Sequence, residues 1–182
     1  MRRPVPGAPA GSASTEAPLE MLAACHVRIE RQCATLRRLV PHLVAHGADE
    51  EARSAAGNVL RYFDSAAKHH HDDEEKDLFP ALLESMAGSD PVCLRDLTDA
   101  LRAEHRALDA AWQRVRASLA QVAAGTSAQL SSGDVETLVG GYERHIEREN
   151  QELLPMAARL LGDDELAQIG KAMRERRGIG EA

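Results

Sequence analysis

Two stretches decide the reading of this chain: HHDDEEKDLFP at residues 70–80 and HIERENQELLP at residues 145–155. Each sets an acid four residues after a histidine and a proline ten residues after it, giving His70, Glu74 and Pro80 in the first and His145, Glu149 and Pro155 in the second. Residues four apart lie one turn above each other on a helix, so each His and Glu share a face. Outward from these pairs, Phe63, Ala67, His70, Glu74, Leu78 and Ala81 align one for one with Leu138, Tyr142, His145, Glu149, Leu153 and Met156. A second match lies upstream of each. Leu22, His26, Ile29, Cys33, Leu36 and Val40 are spaced 4, 3, 4, 3, 4, as are Leu101, His105, Leu108, Trp112, Val115 and Leu119. Such spacing is the apolar stripe of a core-facing helix, and the chain is a helix pair repeated twice.

The repeat also fixes the register among three adjacent histidines. His69, His70 and His71 each have an acid four residues on, but only stepping back from His70 meets Ala67 and Phe63, whereas stepping back from His71 meets Asp64. His69 and His71 are therefore expected to be solvated neighbours.

Breakers divide the chain into four long helices on short connections. The first runs from Leu19 to His46 behind Pro18, with Pro41 bending or ending it late and Gly47 closing it. The second is expected from Glu50, capped by Asp49, to Met86 with a kink at Pro80. The third follows Ser89, Asp90 and Pro91 and runs to Ala124 before Gly125, Thr126 and Ser127, and the fourth follows Ser131 to Gly133 and reaches Leu161. A short fifth helix ends near Arg176. The expected fold is all-α, an antiparallel up-down four-helix bundle over residues 18–161, with a flexible tail at 1–17 and a short C-terminal helix and tail at 162–182.

Composition agrees. Of 182 residues, 43% are apolar and 28% charged, and one Trp, two Tyr and two Phe are the only aromatic side chains, which leans to helix and rules out an all-β sandwich. A formal charge of −7 gives no broad basic field, so nucleic acid is not an expected partner. Cys25, Cys33 and Cys93 form no CxxC pair and, being odd in number, no disulfide framework. Arg2 and Arg3 are not followed by an apolar export segment, and no stretch is long and apolar enough for a membrane, so a cytoplasmic protein is expected.

Four histidines and two acids on core stripes carry the chemistry. One such histidine reads as a hydrogen-bonded core residue. Burying four imidazoles and two carboxylates in one layer, with no Lys or Arg on the stripes, costs several kcal/mol per ionised group unless cations neutralise them. Imidazole and carboxylate without thiolate suit iron or manganese better than a structural zinc, and six donors exceed what one zinc accepts. Two metals bridged by the two glutamates fit the count.

An isolated His, then His-x-x-x-Glu before Leu-Phe-Pro, with the set repeated, resembles the hemerythrin-like (HHE cation-binding) domains over about Pro18 to Leu161. The resemblance implies that His26, His70, Glu74, His105, His145 and Glu149 hold two iron ions in a non-haem, oxo- or hydroxo-bridged diiron centre, with His26 and His70 on one iron and His105 and His145 on the other. Oxygen-carrying members use a His-x-x-x-His pair on the third helix and an Asp bridge, whereas here Asp109 follows His105 by four residues and Leu101 precedes it by four. The chain therefore resembles the four-His, two-Glu branch, whose open metal positions imply reaction with dioxygen, peroxide or nitric oxide rather than clean reversible carriage. Repair proteins of that branch carry a cysteine-containing N-terminal domain, and residues 1–17 contain no cysteine.

Among the remaining candidates, Tyr142 stands one turn before His145 and is read as a group able to hydrogen-bond a bound ligand. Asp109 lies beside its stripe and is expected to be exposed. Gly140 and Gly141 are read as sites of close helix approach. The acidic run Asp72 to Asp77 is expected to be solvated except for Glu74, so Glu75 is given no role. Cys25 points away from His26's face, and Trp112 and Cys33 are read as core packing. Two functions fit: a diiron protein that binds or turns over small oxidants in sensing, protection or iron handling, or a non-catalytic metal-binding module for iron storage or protein interaction.

Overall fold

The computed structural model describes residues 17–86 and 92–179. The tail expected at 1–17 thus lies outside the described residues except for Ala17, as do Ser89, Asp90 and Pro91 of the expected third helix start. Helix α1 spans Pro18–His46 and carries Pro41 within it. It ends where Gly47 adopts φ of 71° and its N–H returns to the Leu43 carbonyl at 2.9 Å, a conformation cheap only for glycine. Asp49 caps α2 (Glu50–Asp64), accepting the Ala52 N–H at 2.8 Å.

The second bundle helix is not the single run expected. Ser65, at φ −130° and ψ −75°, separates α2 from α3 (Ala66–Asp73). A π-helical turn over Glu74–Leu78 then precedes α4 (Phe79–Ser85). The third helix, α5, spans Val92–Ala123, and the fourth is α6 (Ser132–Arg148), a second π-helical turn (Glu149–Leu153) and α7 (Leu154–Leu160). Helix α8 (Asp163–Arg176) follows.

The two π turns have one cause and one consequence. Pro80 and Pro155 lack an N–H, and their rings crowd the carbonyls four residues back, those of Lys76 and Gln151. Widening the turn by one residue relieves that crowding, and the Phe79 and Leu154 N–H groups close it on the carbonyls of Glu74 and Glu149. Each apolar stripe then slips by one residue. Leu78 and Leu153 are buried as expected, but beyond them Leu82 and Ala157 fill the core, while Ala81 and Met156 are only half-buried.

Helix α1 packs on α2 and α6, and α5 packs on the same two, so the four long helices close a ring. The protein is an all-α helical bundle with a fifth helix against it, and the described residues contain no strand. Its apolar core falls into two clusters. One gathers Ile29, Phe63, Ala67, Leu108, Trp112, Leu138 and Tyr142, and the other gathers Leu22, Leu78, Phe79, Leu101, Leu153 and, from α8, Ile169 and Met173. His26, His70, Glu74, His105 and Glu149 fall between these clusters in sequence on their own helices, and His145 lies at the edge of the first, between Tyr142 and Ile146. Gly141 marks a close approach, since a Cβ there would lie 2.9 Å from Leu108 Cδ2; Gly140 meets only Arg144 of its own helix.

Helix α8 corrects the reading of the acidic run. Asp73 is fully buried rather than solvated. Arg177 reaches its Oδ2 at 2.6 Å, Arg176 pairs with its Oδ1, and Arg176 Nη2 also reaches Asp77 Oδ2 at 2.7 Å. These contacts fasten α8 to the residue preceding Glu74. Stripping the partners from a buried charge is costly, so replacing Arg176 and Arg177 together by Ala should destabilise the protein by about 3 kcal/mol, roughly 10 °C in a thermal melt. A loss below 1 °C would show that Asp73 does not depend on them.

Candidate metal centre

Six side chains from four helices meet in the polar layer between the two apolar clusters. His26 comes from α1, His70 from α3, His105 from α5 and His145 from α6, while Glu74 and Glu149 each open a π turn. All are 0% to 4% exposed. The π turn belongs to the site geometry, because the first residue of each is the glutamate whose N–H is shared between two carbonyls, His70 and His71 for Glu74, His145 and Ile146 for Glu149.

Each carboxylate turns one oxygen to each pair of imidazoles. Glu149 Oε2 lies 2.9 Å from His26 Nε2 and 3.9 Å from His70 Nε2, while its Oε1 lies 2.9 Å from His145 Nε2 and 3.8 Å from His105 Nε2. Glu74 Oε1 faces His70 Nε2 at 3.6 Å, and its Oε2 faces His105 Nε2 at 3.3 Å. Two tetrads result, His26 with His70 and His105 with His145, sharing both glutamates, and within each tetrad the donor atoms lie within 4.8 Å of one another.

The remaining ring nitrogens explain why Nε2 points inward. His26 Nδ1 is bound to Asn150 Oδ1 at 2.8 Å, His105 Nδ1 to Glu75 Oε1 at 2.6 Å, and His145 Nδ1 to Glu104 Oε2 at 2.9 Å. Such outer contacts fix the ring and its tautomer and raise its basicity as a donor. Glu75, expected to be solvated and without a role, is thus a positioning residue for His105. The repeat held the clue, because Glu75 and Asn150 each follow the glutamate of their half and each holds the first histidine of the opposite half. Glu104 precedes His105, and its counterpart before His26 is Cys25. The symmetry stops there, and His70 Nδ1 has no hydrogen-bond partner. Two carboxylates therefore back the His105/His145 pair, and one amide backs the other.

His71 is the second correction. Instead of standing in solvent it is half-buried, with Nε2 sealed and unpartnered, and its ring stacks on His105 with centroids 4.0 Å apart. Tyr142 is buried one turn from His145, its ring 6.1 Å from that of His71. Asp109 is exposed, and Trp112 and Cys33 are core residues, as expected. Trp112 also donates to Asp64 at 3.0 Å.

Electrostatics test whether the residues suit a cation. The Nε2 atoms of His26 and His70 and all four oxygens of Glu74 and Glu149 are sealed from solvent without an aligned hydrogen bond. Burial and the neighbouring charge of Glu149 push Glu74 up to about 8. Burial drives His70 down to about 3. At His105 burial is outweighed by the facing carboxylates of Glu149, Glu74 and Glu75, which hold it up at about 10. Buried ring nitrogens and carboxylate oxygens that face one another without aligned hydrogen bonds are what bound cations satisfy.

Residues 17–157 match the family Hemerythrin HHE cation binding domain, and the chain belongs to it. An uncharacterized protein of Haemophilus influenzae is 32% identical over 164 residues, spanning 90% of this chain and 92% of the relative. Membership makes this a metal-binding helical protein, and no helix among the described residues is long and apolar enough to cross a membrane.

Without metal, Glu74 has its carboxyl raised from an ordinary 4.5 to about 8, so the stability it gains by staying protonated is full below 4.5 and is lost as pH rises through about 8. Glu74→Gln removes that dependence. The metal-free variant should melt several degrees above the metal-free parent at pH 8, with the gap closing by pH 4.5, where His70 opposes both proteins equally. A gap that does not change with pH would contradict this.

Proposed function

We propose that the protein is a non-haem diiron hemerythrin-like protein that binds or reacts with small oxidants such as dioxygen, nitric oxide or peroxide, in sensing, stress protection or iron handling. The observation that carries this reading is the pair of buried carboxylates, each turning one oxygen to each pair of imidazoles. In this reading His26 and His70 would hold one iron, His105 and His145 the other, with Glu74 and Glu149 shared between them. Iron is favoured because the donor set contains imidazole and carboxylate but no thiolate; Cys25 is buried, with its thiol pushed up by burial, and belongs to none of the donor groups.

Bound iron would supply redox chemistry and a Lewis-acidic position for a small ligand. The protein's own part is separate from that. Glu75, Glu104 and Asn150 hold three rings in place, and the two apolar clusters exclude water from the layer. Four imidazoles and two shared carboxylates would offer each iron four protein donors, fewer than the six that iron accepts, so small exogenous ligands could also bind.

Anaerobic loading followed by metal analysis should return about two irons per chain, and exposure to air should produce an absorption spectrum that azide or nitric oxide perturbs. One zinc per chain, or no metal, would overturn the reading. Glu74→Ala and Glu149→Ala should each lose most of the iron, and His70→Ala likewise, whereas His69→Ala should keep it. Glu75→Ala should retain two irons with affinity weakened roughly 10- to 100-fold, as expected for loss of an outer hydrogen bond to a ligating imidazole. Equal losses from Glu75→Ala and Glu74→Ala would contradict the assigned bridges.

A further inference from the structure

The chain has one Trp, two Tyr and two Phe, and three of these rings stand in a single line that leads away from the metal layer. The line starts at His105, whose Nε2 faces Glu74 and Glu149. His71 stacks on that ring with centroids 4.0 Å apart and planes 13° from parallel. Tyr142 follows at 6.1 Å from His71, Phe63 at 5.5 Å from Tyr142, and Trp112 at 4.8 Å from Phe63. Each step is ring to ring. His105 and Trp112 also lie two turns apart on one face of α5, roughly 10 Å along the axis at the usual helical rise.

The far end of the line meets a cavity. It has a volume of about 630 Å³, opens between the second and third bundle helices, and has Phe63, Trp112, Asp64 and Arg116 in its wall. The indole N–H of Trp112 donates to Asp64 Oδ1 at 3.0 Å, and Arg116 Nε donates to the same oxygen at 2.9 Å. The bond to Arg116 holds the Asp64 carboxyl below the usual carboxylate range, so the indole faces an anion. A backbone carbonyl would satisfy the N–H as well. A carboxylate does more, because its negative charge stabilises positive charge on the ring and eases removal of an electron from it. Tryptophan is also the ring of this line that gives up an electron most readily without first losing a proton.

We propose that this line of rings is an electron path and that Trp112 is its outer terminus, through which a small one-electron reductant in the cavity reduces the metal layer. This rests on the diiron reading above. Nothing in the cavity has to touch the sealed layer, because an electron tunnels through packed rings where a ligand cannot pass. After peroxide has oxidised the iron, one electron leaves the indole of Trp112 for the layer. The iron is thereby reduced by one electron, and the ring becomes a radical cation whose N–H stays bonded to Asp64. With ascorbate as the reductant, one electron from it restores the indole, and ascorbate is left as its radical with its proton released to solvent. No proton crosses the core.

The test uses the iron-loaded, full-length protein, with iron measured on each sample. Peroxide is added without reductant; one portion is frozen at once for electron paramagnetic resonance, and another is digested for peptide mass spectrometry. With a single Trp in the chain, both readouts report on Trp112 alone. The expected result is an indole radical and added oxygen at Trp112 in the iron-loaded parent, and neither in metal-free protein given the same peroxide. Trp112→Phe should keep its iron, lose the indole signal and be reduced by ascorbate more slowly than the parent, as followed by absorption. Asp64→Asn, a change at the cavity rim, should keep its iron and give about tenfold less radical, in line with one lost bond to a charged group. Equal oxidation of Trp112 with and without iron would overturn the proposal, as would a Trp112 left intact in the iron-loaded parent. Reduction by ascorbate at the parent's rate in Trp112→Phe would overturn it too. A parent that takes up no iron would instead remove the diiron centre itself, and the electron path with it.

Discussion

Everything distinctive about this bundle follows from two carboxylates placed where no lysine or arginine pairs with them. Glu74 and Glu149 are fully buried, and their ion-pair partners are histidines. A four-helix bundle of this length has ample apolar surface to fold, as the two core clusters show. The polar layer between them is a cost unless a cation occupies it. Family membership and geometry agree that this occupant is a metal ion.

The outer residues make the two halves unequal. Glu75 and Glu104 back His105 and His145 with carboxylates, whereas Asn150 backs His26 with an amide and His70 stands unsupported. Carboxylate-backed imidazoles are the more basic donors, so the half nearer the cavity is also the electron-richer half. The fastening of α8 to Asp73 acts on the other flank, because it holds the residue next to Glu74 and thereby the start of the first π turn.

Much of this was legible in the sequence because the chain carries the same message twice. One HHHDDEE run leaves the register open, but HIEREN has a single histidine to align, and the match selects His70 and Glu74, both fully buried. Helix caps at Asp49 and Gly47 were readable for local reasons. The misses have physical causes as well. A periodicity of 3.6 assumes regular α-helix, so it carries the stripes past Pro80 and Pro155 to Ala81 and Met156 when the π turns have already slipped them by one residue. Counting charge along the chain made Asp72 to Asp77 look solvated, because nothing local reveals that Arg176 and Arg177, about a hundred positions away, cover Asp73. His71 was misread for the related reason that its partner ring, His105, belongs to another helix.

The central claim is that six residues from four helices form one buried layer whose charge only bound metal satisfies. Its most direct test is the melting temperature of metal-free and iron-loaded protein at neutral pH, recorded by circular dichroism. A ligand that binds only the folded state stabilises it by an amount set by its concentration over its dissociation constant, about 2.7 kcal/mol at a hundredfold excess, or several degrees for a chain of this size. The account predicts a clear rise on iron loading with the helical signal nearly the same in both forms. Coincident melting of the two forms would contradict it.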